Sequence, residues 1–366
     1  MGSGCFTKET VESSTFHPFF DAALPGWPKV IGGVTAENPV WLAPLAGVTF
    51  GSFRRFHRAL GAGLVHTEMV SALGLKYRGR KTKELLYGSE SERPCVIQLF
   101  GSNAEDIACG AEVALDIRPF DVLEVNMACP MPKVTKKGSG SKLMEYPDEA
   151  VKIVRFLKRF GLPVWVKTRI MPPNESMTTE DFCGLLFDAG ADFIFLHGRT
   201  PAQRYEGTAS REAVCKATKL FPGMIGGSGD CFAPGDLTYY LDNGCAAVLA
   251  ARGVLRDAFL IPRTLKKLGC DVPAMYCNPS PTAQVDILLG LGSSIYNTEG
   301  GAPAMTIARR MLGAIFKGFN GASQMRRAGA MMKNWPELAE MLVKWRDTLN
   351  ANTDVECENV GLHVSD

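Results

Sequence analysis

The stretch Val122-Leu-Glu-Val-Asn-Met-Ala-Cys-Pro-Met-Pro-Lys-Val-Thr-Lys-Lys-Gly-Ser-Gly-Ser-Lys-Leu143 decides how this chain is read. It opens as an apolar strand, ends that strand on Asn126 and presents Cys129 just beyond. Pro130 and Pro132 forbid a regular continuation, because proline lacks an N–H and restricts the residue before it. A loop with Lys133, Lys136, Lys137 and the run Gly138-Ser-Gly-Ser141 follows. A buried strand that delivers an amide and a thiol into a basic, glycine-rich loop is arranged like a site. An ordinary loop beside a buried thiol accounts for the same window, since free cysteine is usually a small core hydrophobe. The rest of the chain has to decide between the two.

Short apolar runs recur on both sides of this stretch: Val40–Ala43, Leu64–Thr67, Cys95–Leu99, Val122–Val125, Val164–Val166, Phe193–Leu196, Met224–Ile225 and Ala246–Ala250. Each is continuous rather than alternating, as expected of strands covered on both faces of a parallel sheet. Helical spacing fills the gaps. Ala104–Ile117 follows a cap at Ser102 or Asn103, and Asp148–Phe160 follows Pro147. Thr179–Ala189, Pro234–Asn243 and Leu255–Leu268 end at Gly190, Gly244 and Gly269. Strands alternating with helices in this way predict an α/β fold, a (β/α)8 TIM barrel over residues 39–277. A doubly wound open sheet is the alternative, but it usually needs fewer strands, and no Gly-x-Gly-x-x-Gly follows the first one. Residues 1–38 read as an irregular N-terminal extension. Beyond Asn278-Pro-Ser-Pro281 only helical patterns remain, at Thr282–Leu291, Ala302–Phe319, Ser323–Met332 and Glu337–Leu349. They predict a small all-helical C-terminal domain over 282–350 and a loose polar tail over 351–366.

With 366 residues, 46% apolar and 21% charged, the composition is that of an ordinary globular protein. A formal charge of +2 means that a nucleic acid would have to be met by a local patch rather than a global field. No apolar run reaches membrane-spanning length, and Met1–Lys8 lacks the apolar core of a signal peptide. The eleven cysteines contain no Cys-x-x-Cys pair, which argues against a metal or iron–sulfur site. The expectation is a cytoplasmic chain with reduced thiols, no metal and no membrane partner.

In a barrel of this kind the C-terminal strand ends form the active face, so the residues there test the reading. They are Pro44-Leu-Ala-Gly47, Glu68-Met69, Gln98, Asn126 with Cys129, Lys167-Thr-Arg169, His197-Gly-Arg199, Gly226-Gly-Ser-Gly-Asp230 and Ala250-Ala-Arg-Gly253. The last two turns are where such barrels commonly hold a phosphate on backbone N–H groups. Taken singly, a Gly-Gly turn is most often only a turn and a lone His a satisfied core residue. Gathered on one rim they favour a phosphate-bearing cofactor, and a thiol beside cations is suited to exchanging protons.

These residues resemble the dihydrouridine synthases, flavin enzymes that reduce uridine in tRNA. The resemblance rests on Leu42-Ala-Pro-Leu-Ala-Gly-Val-Thr49, Thr67-Glu-Met-Val-Ser71, Val96-Ile-Gln-Leu99, Val125-Asn-Met-Ala-Cys-Pro-Met-Pro-Lys-Val134, Val166-Lys-Thr-Arg169, Leu196-His-Gly-Arg-Thr200 and Gly229-Asp230. It implies that Cys129 is the general acid for C5 of uracil and that FMN, reduced by NADPH, delivers hydride to C6. It further implies cofactor contacts at Pro44, Leu45, Ala46, Gln98, Lys167 and His197, phosphate contacts at Ser228, Gly229, Asp230, Ala251 and Arg252, and uracil-side positions for Asn126 and Arg199. The chain departs from the family pattern at Leu45, Phe50, Ala128, Ser228 and Ala251, where Met, Asp, Gly, Asn and Gly are usual.

Between Met305 and Trp335 lie Arg309, Arg310, Lys317, Arg326, Arg327 and Lys333 with no acidic residue among them. That is a phosphate-binding footprint, and the family's helical domain grips tRNA. A solvated basic face is the bland alternative. Phe319 and Trp335 either stack on bases or belong to the core. The cluster Lys76-Tyr-Arg-Gly-Arg-Lys-Thr-Lys83 either guides RNA or is an ordinary loop. The leading expectation is a monomeric FMN- and NADPH-dependent tRNA-dihydrouridine synthase, with rRNA not excluded as substrate. A flavin barrel acting on a small pyrimidine or enone and a non-catalytic RNA-binding barrel are the alternatives.

Overall fold

The structure is a computed structural model that describes residues 18–173 and 176–360, with residues 350–360 as backbone only. Ten strands are described: β1 Lys29–Ile31, β2 Val34–Ala36, β3 Val40–Leu42, β4 Val65–Ser71, β5 Cys95–Phe100, β6 Val122–Met127, β7 Val164–Arg169, β8 Phe193–His197, β9 Ile225–Ser228 and β10 Ala247–Ala250. The last eight form one closed barrel in chain order, with β10 pairing back onto β3, and every neighbour is parallel. The expected TIM barrel is therefore the fold, and the open doubly wound sheet is excluded.

Side chains alternate along each strand, so a closed barrel has an inner and an outer core. The inner one stacks Trp41 on Trp165 (centroids 5.4 Å apart) and packs Phe193 and Phe195 against them. Gly226 makes room for the Phe195 ring, because a Cβ there would clash with it. The outer core lies between the strands and the surrounding helices.

The N-terminal extension is not wholly irregular. β1 and β2 form a hairpin whose Gly32 carbonyl accepts from Trp165 Nε1 at 2.8 Å. A Cβ on Gly32 would come within 2.6 Å of that nitrogen, so only glycine lets the turn lie against the barrel's Trp165 and Phe193. Residues 1–17 of the extension lie outside the described residues.

Helices Ala104–Ile117, Pro147–Lys158, Thr179–Asp188 and Pro234–Asp242 stand where their spacing predicts. Among the described helices, Gly51–Ala59 and Arg211–Leu220 lacked a sequence signal, as did the short Ala72–Lys76, Arg80–Glu84, Pro132–Thr135 and Ala274–Cys277, the third of which starts on a proline expected to prevent regular structure. The Gly51–Ala59 helix carries three arginines, yet Arg54 is fully buried because its Nε donates to Glu92 Oε2 at 2.5 Å, a carboxylate that Arg118 also reaches. Leu255–Leu268 is helical only over Leu260–Lys267.

Four helices follow the barrel, Pro281–Thr298, Gly301–Ile315, Ala322–Met331 and Trp335–Val360. The last continues where a loose tail was expected, and residues 361–366 lie outside the described residues. The first of the four docks on Gly51–Ala59, where Ser52 N–H donates to Glu299 Oε1 at 3.1 Å. Trp335 is buried against Gly292, and Phe319 is half-buried beside Phe316, so both pack in the core rather than lying open for stacking.

Gly292→Ala drives a methyl group into the Trp335 ring and is expected to lower the unfolding free energy by about 1–3 kcal/mol in urea denaturation. Gly313→Ala, with open space around its Cβ in an exposed helix position, is expected to raise it by about 0.5–1 kcal/mol.

Candidate active site

The strand period of two carries the inner column of each strand from apolar to polar as it nears the rim. Val96 is succeeded by Gln98, Trp165 by Lys167 and Arg169, and Phe195 by His197, while on β6 the change comes earlier, from Val122 to the buried Glu124 and then to Asn126 at the cavity. These residues and the turns after β3, β9 and β10 enclose a cavity of about 490 Å³. Pro44, Leu45, Ala46, Gln98, Asn126, Cys129, Lys167, His197, Ser228, Gly229, Asp230, Ala251 and Arg252 all line it. The structure thus brings Asn126 and Cys129 of the Val122–Leu143 stretch to this cavity, with Cys129 partly exposed.

Asn126 organises the turn that carries the thiol. Its Oδ1 accepts from the backbone N–H of Cys129 at 2.9 Å and of Ala128 at 3.2 Å. Its Nδ2 donates to Gln98 Oε1 at 2.8 Å. Beyond the prolines the chain returns to donate from Ser141 N–H to the Cys129 carbonyl at 3.0 Å. Gly140 permits that return at φ +65°, since a Cβ there would approach the same carbonyl to 2.6 Å. Ala128 and Ala251 sit at ordinary φ, so alanine replaces the family's glycine at both without strain.

Lys167 is buried on the cavity wall, and its ammonium has no hydrogen-bond partner among the described residues. Burial lowers its pKa from the ordinary 10.5 to about 8, against the pull of Glu124. Burial, helped by Lys167, Arg169, Arg199 and Arg252, depresses His197 to about 2, so its imidazole is neutral. Its Nδ1 accepts the Arg199 N–H at 3.2 Å, which leaves the proton on Nε2 as a donor.

The turn after β9 holds Gly229 at φ +124° and Asp230 at φ +48°. Burial alone would raise the Asp230 carboxyl, but the Ala209 N–H, Arg199 and Arg252 hold it below the usual carboxylate range. The backbone N–H groups of Gly229, Asp230, Ala251 and Arg252 have no acceptor among the described residues. Free donors of this kind beside a guanidinium suit an anion.

Arg199 does not reach the wall. It is 2% exposed, pairs with Asp230 at 2.7 Å and donates to the carbonyls of Glu206 and Gly207. Arg169 stands on the wall in its place, beside Lys167 and Arg252, held by the Ala128, Thr200 and Arg204 carbonyls. Its proximity to Lys167 in sequence was the available signal. Tyr205 and Phe232 also line the cavity; Arg252 lies 5.2 Å and 5.4 Å from their ring centroids. Nothing in the local sequence marks either as a wall residue.

In the helical region Arg309 donates to the Met332 carbonyl, Arg326 to the Phe316 carbonyl and Lys317 to the Arg256 carbonyl. Arg326 is half-buried, whereas Arg310, Arg327 and Lys333 are exposed. The six cations therefore divide into helix-capping or bridging groups and free ones. Among the described residues no helix is long and apolar enough to cross a membrane.

Comparison with known proteins gives the chain a family. The dihydrouridine synthase family model matches residues 41–350. A probable tRNA-dihydrouridine synthase of Mycobacterium tuberculosis (strain CDC 1551 / Oshkosh) is 31% identical over 329 residues, covering 84% of this chain and 82% of that protein. The probable tRNA-dihydrouridine synthase of Treponema pallidum (strain Nichols) is 31% identical over 252 residues, 66% of this chain and 74% of its own. Among solved structures, morphinone reductase aligns with a TM-score of 0.48 at 15% identity, over 72% of this chain and 93% of that one.

The unfolded chain holds the Lys167 proton up to about pH 10.5 and the folded chain only up to about pH 8, so the stability of the ligand-free protein should rise with pH across that window. Lys167→Met is expected to remove that rise, as read by urea denaturation at either end of the window.

Proposed function

The chain belongs to the dihydrouridine synthase family, and from that premise we propose that it is an FMN enzyme, reduced by NADPH, that saturates the C5–C6 bond of a uridine in tRNA. The observation that carries this reading is the meeting, at one barrel mouth, of an unpartnered buried ammonium, four free backbone N–H groups and a partly exposed thiol.

That donor set fits a flavin mononucleotide. Gly229, Asp230, Ala251 and Arg252 offer N–H groups to its phosphate, with the Arg252 guanidinium beside them. Lys167 supplies a positive charge, His197 Nε2 and Gln98 supply polar contacts, and Pro44, Leu45 and Ala46 supply an apolar edge. Bound there, the flavin supplies the hydride chemistry. The protein's part is position and a proton. Asn126 fixes the turn, and Cys129 Sγ gives its proton to C5 of the uracil. A uridine stacked in folded RNA has to leave the stack to reach the thiol. The helices over residues 282–350 are the RNA grip, and Arg310 and Lys333 are the cations free to meet phosphates, with Arg327 exposed beside them and bonded only to the Ser323 hydroxyl.

Cys129→Ala is expected to leave flavin reduction by NADPH intact while slowing uridine reduction by ~10²-fold or more in stopped-flow assays. Deletion of the gene should remove dihydrouridine from cellular tRNA in nucleoside mass analysis; full retention in every RNA would sink the reading. Arg310→Ala with Lys333→Ala should weaken RNA binding and reduce the slope of log K against log salt by about 1.5.

A further inference from the structure

Beneath the cavity floor lies a run of polar side chains that the proposed chemistry does not use. Glu124 and His66 are fully buried inside the barrel. His66 Nδ1 lies 2.8 Å from the Leu42 carbonyl, so that nitrogen carries a proton and donates it. His66 Nε2 faces Glu124 Oε2 at 3.6 Å, and neither atom has a hydrogen-bond partner. The other carboxylate oxygen, Oε1, accepts from Gln98 Nε2 at 2.6 Å.

An amide has no intrinsic preference for which end it turns toward a neighbour, and the surrounding hydrogen bonds decide. Here they decide in one direction only. Glu124 Oε1 accepts and does not donate, whether or not a proton sits between Oε2 and His66, so Gln98 must present Nε2 to it. That leaves Gln98 Oε1 for Asn126, which must answer with Nδ2. Asn126 then has only Oδ1 to turn toward the N–H groups of Ala128 and Cys129. Gln98 and Glu124 are fully buried and Asn126 is 4% exposed, so bulk water cannot supply a substitute partner at these links.

We propose that Glu124 is a positioning residue, which fixes the polarity of the Gln98 and Asn126 amides and through them the turn that carries Cys129. It touches neither the cavity nor the thiol and acts two hydrogen-bonded side chains away. The inference rests on the proposed function only in treating Cys129 as the reacting thiol. The relay itself holds whatever reaction the site performs.

The test is the alkylation rate of Cys129 by iodoacetamide in the full-length protein, followed on its own peptide by mass spectrometry. Glu124→Met, which keeps the length but loses the acceptor, should release the turn and raise that rate by about threefold or more, and Asn126→Ala should do the same. The double variant should be no faster than Asn126→Ala alone, because both act through one chain of bonds. Glu124→Gln should stay close to wild type, since its Oε1 still accepts from Gln98 while its amide N–H can meet His66 Nε2. Should Glu124→Met fail to fold, Gln98→Met breaks the next link and carries the same expectation in both backgrounds. An unchanged rate in the folded link-breaking variant, multiplied rates in the double variant, or a Glu124→Gln protein as fast as Glu124→Met would overturn the proposal. A wild-type protein that reduces no uridine in tRNA while the variants show the expected alkylation pattern would count against the functional reading and leave the relay standing.

Discussion

Closure of β10 onto β3 is a constraint that acts on every strand at once. Val248 pairs with Val40, Leu249 with Trp41 and Ala250 with Leu42. Because all neighbours are parallel, this last pairing forces eight strand ends onto the same rim. It also removes the sheet's edges, so half of every strand's side chains must share one interior. The chain fills the lower part with Trp41, Trp165, Phe193 and Phe195 and leaves the upper part to Gln98, Asn126, Lys167 and His197. The active face is thus the place where the inner apolar column stops.

Stopping it there has electrostatic consequences. A buried cation is costly unless paired, and Lys167 has no direct partner. Arg169 and Arg252 add positive charge to the same wall, while Asp230 answers Arg252 and Arg199 rather than Lys167. The cavity is left short of negative charge, which is the condition for drawing in an anionic ligand. Burial first, and then the same cations, keep His197 neutral, so it offers an N–H without adding to the repulsion.

The sequence made the eight barrel strands legible because two-sided burial writes each as an unbroken apolar run. It blurred their C-terminal ends. The apolar runs stop at Val125, Val166 and Leu196, whereas the strands continue to Met127, Arg169 and His197. The site was legible for the same reason, since those end residues were the ones to examine. What stayed hidden depends on contacts far apart in the chain. The β1–β2 hairpin has three-residue strands, and its turn is received by Trp165, 133 positions later. The Gly51–Ala59 helix buries Arg54 only because the Glu92 carboxylate, which also pairs with Arg118, meets it from 38 positions later. Glu124 and His66 carried no local signal, since a single acid or histidine in an apolar run says nothing of what it will face across a barrel. Charge counting likewise could not separate Arg309 and Arg326, spent on carbonyls at helix ends, from Arg310 and Lys333.

The place of Arg199 shows why a strand-end position does not by itself make a wall residue. Asp230 is one of three described non-glycine residues at positive φ, and such a conformation persists only where neighbours over-determine it. Arg199, Ala209 N–H and Arg252 all bind its carboxylate, and the Glu206 and Gly207 carbonyls hold Arg199 in turn. The strained turn is the one that leaves the N–H groups of Gly229 and Asp230 without acceptors. Arg199 therefore stands behind the turn and holds the shape in which its N–H groups stay free, so a cation hidden from the cavity shapes the donors that the cavity offers.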